Sequence, residues 1–266
     1  MLTAQQVAQF RADGFLNGGA VLGDAEVDGL RDEMARVMDN HGKGGRQPVK
    51  LSSWNSPDGA VIWQIVNIWE ASDPFKALLF KRPVVEAIAQ LLQPGELRVW
   101  HDQIQYKPAG KGGFNRWHQD SPCWPALLPK NQQITAWFAL DDVDLDNGCM
   151  SMIPGSHEWG VQTDVIYALE DFNAMPAEFQ GQAIKVQACP VKKGEVHFHH
   201  PLTWHGSHAN TSDRPRRAIA VHYMTEQTYF AAAVANQHPM KPHIHVADGE
   251  KIQGDHFPMV WNAAPH

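Results

Sequence analysis

The stretch Glu96–Lys107, with the sequence ELRVWHDQIQYK, marks the point where the chain changes from helical to strand character. Alternate residues of a strand project to the same side, so His101, Gln103 and Gln105 share one face of this segment. Several short segments that follow it are also predicted to be strands: Ile134–Leu140, Cys149–Ile153, Ala183–Cys189, Glu195–His200 and Arg216–Met224.

Turn residues separate these predicted strands. Asn147-Gly148, Pro154-Gly155 and Lys193-Gly194 all lie between neighbouring segments. Many short strands with no helix between most pairs favour two packed antiparallel sheets. The predicted fold is therefore mainly β with flanking helices, a double-stranded β-helix or jelly roll of the cupin type.

The N-terminal part has helical signals instead. Thr3 with Gln6 forms a capping-box pattern, and Gly14 is a suitable stop. Asp24 is predicted to cap a second helix, and Asp73 and Pro83 lie at the starts of two short ones. Residues 54–69 show no clear periodicity. We expect a single domain over residues 1–266, with a helical part at about 1–95, a jelly-roll core at about 96–225 and a tail at 226–266.

Composition excludes several classes of protein. The chain has 266 residues, 43% of them apolar, which is enough for a substantial core. Its net charge of -7 argues against a nucleic-acid partner, and no apolar run approaches the roughly 20 residues of a membrane span. Three scattered cysteines and an N-terminus without a secretory pattern favour the cytoplasm.

The pair His118 and Asp120 carries the clearest chemistry. On an extended segment these two side chains project to the same face, so an imidazole nitrogen and a carboxylate oxygen lie side by side. A third donor from a neighbouring strand would complete one triangular face around a metal and leave three positions open, as oxygen-activating iron(II) requires. His205 is that candidate, and Arg216 follows it by 11 residues with a guanidinium suited to a carboxylate.

The chain resembles the phytanoyl-CoA dioxygenase superfamily of oxygenases that use iron(II), 2-oxoglutarate and O2. The matching stretches, in chain order, are Tyr106–Pro108, Trp117–Asp120, Asp146–His157, Gly194–Val196, His205–Ser207, Asn210 and Arg216–Tyr223.

This resemblance implies a role for each matching residue. His118, Asp120 and His205 would be the iron ligands, and Arg216 and Ser207 would bind the far carboxylate of 2-oxoglutarate. Gln105 and Trp137 would line the co-substrate pocket. The reaction implied is hydroxylation of a small-molecule metabolite, or a related C–H oxidation. Because related halogenases lack the carboxylate that Asp120 supplies, halogenation is disfavoured.

Other interpretations of the same residues stay open. His197 and His199 also share a strand face and could form a separate metal site. Two histidines and a carboxylate also suit a zinc hydrolase, and a jelly roll can bind a small molecule or metal without catalysis. His222 is predicted to line the core.

The primary substrate is not readable from the sequence. Candidate contacts are His101, Gln103, Trp117 and Trp124, each of which could equally be ordinary packing. Trp63 and Trp69 could belong to a lid, although core filling is the stronger expectation. No extended basic patch suggests coenzyme A, so a small free metabolite is favoured.

Overall fold

A computed structural model of the chain describes residues 1–55, 59, 61–169, 171–234 and 237–263. The α-helices of this part are α1 (Ala4–Asp13), α2 (Asp24–Asp39), α3 (Asp73–Leu79), α4 (Arg82–Leu92) and α5 (Thr163–Tyr167). Among the described residues, no helix is long and apolar enough to cross a membrane.

The ends of the helices test the capping predictions. Both hydrogen bonds of the Thr3–Gln6 capping box are present, and Gly14 ends α1 in the left-handed conformation at φ 81°. The prediction that Asp24 caps α2 is wrong by one residue, because Gly23 is the cap and Asp24 is the first helical residue. Gly23 has no side chain that could cap the helix, but the backbone N–H of Gly23 donates a hydrogen bond to the carboxylate of Glu26.

The described strands are β1 (Phe15–Ala20), β2 (Lys50–Asn55), β3 (Val61–Val66), β4 (Glu96–Lys107), β5 (Asn115–His118), β6 (Leu127–Leu128), β7 (Gln133–Ala139), β8 (Met150–Met152), β9 (Glu178–Phe179), β10 (Gln182–Ala183), β11 (Gln187–Cys189), β12 (Glu195–His199), β13 (His205–Ser207), β14 (Arg216–Thr225), β15 (Tyr229–Phe230) and β16 (Met259–Asn262). The larger sheet has the order β1-β12-β7-β14-β4-β3-β2, with β16 also paired to β4, and the smaller one has the order β11-β8-β13-β5. All pairs within both sheets are antiparallel.

Alternation along the larger sheet divides its residues between two environments. On β7, Trp137 packs with Met150 and Met152 of the smaller sheet, so its side chain lies between the sheets. The next residue, Phe138, packs in a different cluster that includes Leu30 of α2 and Ile88 of α4. The helices therefore cover the outer face of the larger sheet, and the space between the sheets is left for a site. The predicted jelly roll with flanking helices is confirmed.

Two parts of the chain differ from expectation. The stretch predicted to be irregular, 54–69, belongs to β2, β3 and a 3-10 turn at Ile68–Glu70, although residues 56–58 and 60 lie outside the described residues. The supposed tail contributes β16 to the larger sheet and packs Met240 and Phe257 against Trp100. Both ends of the chain thus extend the β core, so the helical description of residues 1–95 is incomplete.

Candidate active site

His118 and His205 are direct cross-strand neighbours. The register of β5 and β13 pairs them, and their ring centroids lie 4.1 Å apart. His118 is the last residue of β5 and His205 the first of β13, so both rings lie at one end of the smaller sheet. The two imidazoles, 87 residues apart in sequence, are therefore brought together by strand pairing alone.

Backbone carbonyls fix the orientation of both rings. His118 Nδ1 lies 2.8 Å from the carbonyl oxygen of Arg116, and His205 Nδ1 lies 2.9 Å from that of Thr203. A carbonyl only accepts, so each Nδ1 must carry the proton and donate it. The lone pair of a neutral imidazole is then on Nε2, which is the arrangement that metal-ligating histidines use.

Asp120 completes a group of three donors. Its Oδ1 lies 3.7 Å from His118 Nε2 and 3.5 Å from His205 Nε2. The three ligand atoms all lie within 4.8 Å of one another, and they form the one such group found among the described residues. Two imidazole nitrogens and one carboxylate oxygen are the donor set of non-haem iron(II) oxygenases, so these residues fit an iron ion.

The charge states of His118 and Asp120 favour metal binding. Burial and the neighbouring His205 lower the pKa of His118 to about 4, so this imidazole is neutral at pH 7. Burial raises the pKa of Asp120, but attraction to His205 and a hydrogen bond from His199 outweigh it and hold the pKa well below its usual value. Asp120 is therefore an ionised carboxylate in the metal-free site.

A buried cation without a partner lies in the same cavity. Arg216 is fully enclosed, and none of its three guanidinium nitrogens has a hydrogen-bond partner among the described residues. Its guanidinium carbon lies 5.2 Å from the ring centroid of Trp137. Burial lowers the pKa of Arg216 to about 10, so the group stays charged at pH 7. An unpaired charge at this depth is costly, which points to an anionic ligand.

Lys107 is a second buried basic residue, next to Arg216, and the sequence interpretation gave it no role. It pairs with Arg216 in the register of β4 and β14. Its Nζ donates to Ser207 Oγ at 2.7 Å and to the carbonyl oxygen of His208, while Ser207 Oγ donates to Asn115 Oδ1 at 3.0 Å. Lys107 therefore fixes the hydroxyl of a predicted co-substrate ligand and places a second basic group beside Arg216.

One cavity of about 280 Å³ joins the metal-ligand group to the anion pocket. Of the predicted site residues, it is lined by His118, Asp120, His205, Arg216, Ser207, Gln105, Trp137, Gln103 and Trp124. His222, His238 and Pro239 also line it, and the last two come from the segment predicted to be a tail.

Two predicted substrate contacts lie outside this lining. Trp117 packs against Phe172 with ring centroids 4.8 Å apart and donates its indole N–H to the Phe172 carbonyl. His101 does not line the cavity. Its ring centroid lies 4.4 Å from that of His222, which does line the cavity. These positions do not support direct substrate contact. Trp69 is buried in the core between helices and sheet, as expected for core filling.

The neighbouring arginines have other partners, as the alternation of β14 predicts. Arg217, on the opposite face from Arg216, donates to both carboxylate oxygens of Asp141. Arg214 forms an exposed ion pair with Asp144. Arg216 is thus the arginine that the strand directs into the cavity.

A jelly roll whose cavity holds a two-histidine, one-carboxylate group beside a buried arginine is the arrangement of an oxygenase that uses iron and 2-oxoglutarate. The chain belongs to the phytanoyl-CoA dioxygenase (PhyH) family, whose model matches residues 10–218.

Relatives and solved structures agree with this assignment. The phytanoyl-CoA dioxygenase domain-containing protein 1 homolog of Caenorhabditis elegans is 33% identical, over 81% of this chain and 88% of that protein. The peroxisomal phytanoyl-CoA dioxygenase of Bos taurus is 22% identical, over 86% of this chain and 71% of that protein.

Among solved structures, the non-heme alpha ketoglutarate dependent carbocyclase SnoK from nogalamycin biosynthesis superposes with a TM-score of 0.80 at 26% identity, covering 98% of this chain and 97% of that one. EctD from S. alaskensis, solved with 2-oxoglutarate and 5-hydroxyectoine, has a TM-score of 0.70 at 22% identity, covering 86% of this chain and 78% of that one. The protein is an oxygenase that depends on iron and 2-oxoglutarate.

Proposed function

We propose that the protein couples the oxidative decarboxylation of 2-oxoglutarate to hydroxylation, or a related C–H oxidation, of a small-molecule metabolite. The observation that carries this proposal is Arg216, whose guanidinium is buried and unpaired in the cavity that the metal-ligand group lines. A metal-binding protein that does not use an anionic co-substrate would gain nothing from such a group, because its burial destabilises the fold.

In this proposal each residue has a distinct task. His118 and His205 through Nε2, and Asp120 through Oδ1, hold iron(II). Bound iron, with 2-oxoglutarate and O2, supplies the oxidation of a C–H bond while 2-oxoglutarate is converted to succinate and CO2. Arg216 holds the far carboxylate of the co-substrate, and Ser207 joins it by turning its one hydroxyl proton from Asn115 Oδ1 to that carboxylate.

The walls of the pocket have supporting roles in this proposal. Trp137 and Gln105 would border the co-substrate between the two sheets. Gln103 and Trp124 line the part of the cavity that would remain for the metabolite.

The size of the cavity supports a small substrate. Its volume of about 280 Å³ has to accommodate both the co-substrate and the reacting part of the metabolite. A coenzyme A thioester, which the names of several relatives suggest, would have to keep most of its bulk outside. We therefore favour a small free metabolite, in line with the 5-hydroxyectoine bound to EctD.

We also propose that residues 1–266 form one domain, because helices α1–α4 and the larger sheet share one apolar cluster. Cytoplasmic location is proposed on the basis of three cysteines that are all free thiols.

The zinc hydrolase and the non-catalytic binding protein remain the alternatives to this function. Both could use the same three donors, but neither needs the buried guanidinium of Arg216 in the cavity. A single experiment separates all three. The protein is loaded anaerobically with iron(II) and 2-oxoglutarate labelled at C1, and then exposed to O2 with a panel of small metabolites.

Wild type is expected to release labelled CO2, Arg216→Ala to release far less, and Arg217→Ala to match wild type. Arg217 is a matched control because it is the next residue of β14 and pairs with Asp141 outside the cavity. No labelled CO2 from wild type with any metabolite, together with equal 2-oxoglutarate binding by Arg216→Ala, would contradict the proposal.

A further inference from the structure

The two oxygens of Asp120 have different surroundings. Oδ1 faces the metal-binding nitrogens of His118 and His205. Oδ2 accepts a hydrogen bond from Thr135 Oγ1 at 2.8 Å and lies 3.0 Å from His199 Nε2. Because an ionised carboxylate only accepts, His199 Nε2 must carry a proton and donate it.

Thr135 is itself held in place. Its single hydroxyl proton is used toward Asp120, so its oxygen accepts the third hydrogen bond of the network from His222 Nδ1 at 2.8 Å. His199 and His222 are the cross-strand neighbours of Thr135 on β12 and β14. The three side chains thus form one row across the larger sheet, and the row is buried.

This row meets Asp120 from the opposite side of the site. Asp120 follows β5 of the smaller sheet, whereas the donors come from three central strands of the larger one. A carboxylate can bind a metal through one oxygen or through both. Two donors on Oδ2, on rigid strands, oppose rotation of that oxygen toward the metal, since rotation would break both hydrogen bonds.

We propose that Thr135 and His199 are positioning residues that hold Asp120 as a one-oxygen ligand and so keep three coordination positions free. The proposal rests on the proposed function, because it assumes that His118, Asp120 and His205 bind the metal. His222 acts one step further away by fixing the Thr135 hydroxyl. The row therefore influences both how tightly the metal binds and how many positions remain for the co-substrate.

The test uses anaerobic titration of the full chain with cobalt(II), whose visible absorption reports the number and arrangement of its ligands. Thr135→Val keeps the shape of the side chain and removes the donor, whereas Thr135→Ser keeps the donor. Thr225→Val is the matched control, because Thr225 is also a buried, hydrogen-bonded threonine but its hydroxyl bonds to Gln132.

We expect Thr135→Val to weaken cobalt(II) binding at least about 10-fold and to change the absorption spectrum of the bound ion. Thr135→Ser is expected to restore both, and Thr225→Val to match wild type. Should Thr135→Val not fold, His199→Leu removes the second donor and His199→Gln retains an N–H there, with the same loss and restoration expected.

Donor-lacking variants that bind cobalt(II) with the affinity and spectrum of wild type would overturn the positioning role while leaving the proposed function intact. If wild type binds cobalt(II) only weakly and His118→Ala binds it equally well, the metal site is wrong. The positioning role would then be overturned as well. If Thr135→Ser and His199→Gln do not restore the wild-type spectrum, the loss reflects general damage to the fold. That result would also contradict the positioning role.

Discussion

Lys107 and Arg216 lie directly opposite each other on neighbouring strands, and both are fully buried. Positive charges on both side chains would repel each other, and neither side chain forms an ion pair with a described carboxylate. Burial, together with repulsion by Arg216, lowers the pKa of Lys107 well below its usual value. An anionic ligand beside Arg216 would relieve this repulsion and favour the charged form of Lys107.

The first prediction concerns the balance between binding and stability at Arg216. Arg216→Met should weaken 2-oxoglutarate binding roughly 100-fold or more, because two charge-assisted hydrogen bonds are lost at about 1.5–3 kcal/mol each. The metal-free protein should be as stable as wild type or more stable, since a buried unpaired charge is removed. Calorimetric titration under anaerobic conditions and urea denaturation measure the two effects.

Arg217→Met serves as the control for that variant. It breaks the pair with Asp141 on the outer side of β14, so stability should fall while 2-oxoglutarate affinity stays close to wild type. The opposite pattern, with Arg217 controlling affinity, would show that the wrong arginine has been assigned to the cavity.

The second prediction concerns the contact between Lys107 and Ser207. Because Lys107 Nζ donates to Ser207 Oγ at 2.7 Å, the two residues should act on co-substrate binding as a unit. A double-mutant cycle with Lys107→Met and Ser207→Ala should show coupling of about 0.5–3 kcal/mol in 2-oxoglutarate affinity. Strictly additive effects would mean that Lys107 contributes only to packing.

The third prediction separates the two histidine clusters named from the sequence. His118→Ala should reduce metal affinity by more than about 100-fold, beyond the range of outer-sphere changes. His197→Leu should stay within a few-fold of wild type, because His197 stacks on Phe15 and takes no part in the ligand group. Metal titration followed by elemental analysis gives both numbers, and the reverse ranking would favour the other cluster.

The fourth prediction is a pH dependence of metal binding. Burial lowers the pKa of His205, but attraction to Asp120 outweighs it, so the pKa is raised above the ordinary histidine value of 6.5. Asp120 is already ionised and His118 already neutral at pH 6, so a metal should displace one proton, from His205. The logarithm of the binding constant should rise by about one per pH unit and level off above the His205 pKa.

The same ion pair affects the metal-free fold. A raised histidine pKa stabilises the folded chain below the unfolded-state pKa, and this contribution is lost as the pH rises through the raised value. Calorimetric titrations with cobalt(II) between about pH 6 and 8.5 measure the affinity. Repeating them in buffers of different ionisation enthalpy gives the number of protons released. Affinity that does not change with pH, or release of two protons, would contradict the assigned charge states.

Much of the β core was predictable because its signals are local. Glu96–Lys107 is a strand with the predicted bounds, and Arg216 begins β14 as predicted. Alternation also placed Arg216 and Arg217 on opposite faces correctly. The same rule, applied to Trp117 beside His118, would have directed the tryptophan away from the cavity.

What could not be predicted depends on distant contacts. β3 lies inside the sheet, paired with the edge strand β2 on one side and β4 on the other, and its side chains show no simple alternation of apolar and polar residues. The pairing of β16 with β4 joins segments more than 150 residues apart, and short strands carry little propensity of their own.

The supporting residues of the site were missed for a similar reason. A lysine at the end of a strand is usually exposed, and only contact with Ser207, 100 residues away, shows that Lys107 is buried. Thr135 has no sequence signal for a polar role, because its importance arises from its place between His199 and His222 in the assembled sheet. The ligands could be named from a motif, whereas Lys107 and Thr135 could not.

The most direct test of the account is a crystal structure of the protein grown anaerobically with iron(II) and 2-oxoglutarate. The account predicts one iron ion bound by His118 Nε2, His205 Nε2 and Asp120 Oδ1, and the far carboxylate of 2-oxoglutarate on Arg216 and Ser207. Iron bound at other residues, a fourth protein side chain on the metal, or 2-oxoglutarate without contact to Arg216 would contradict it.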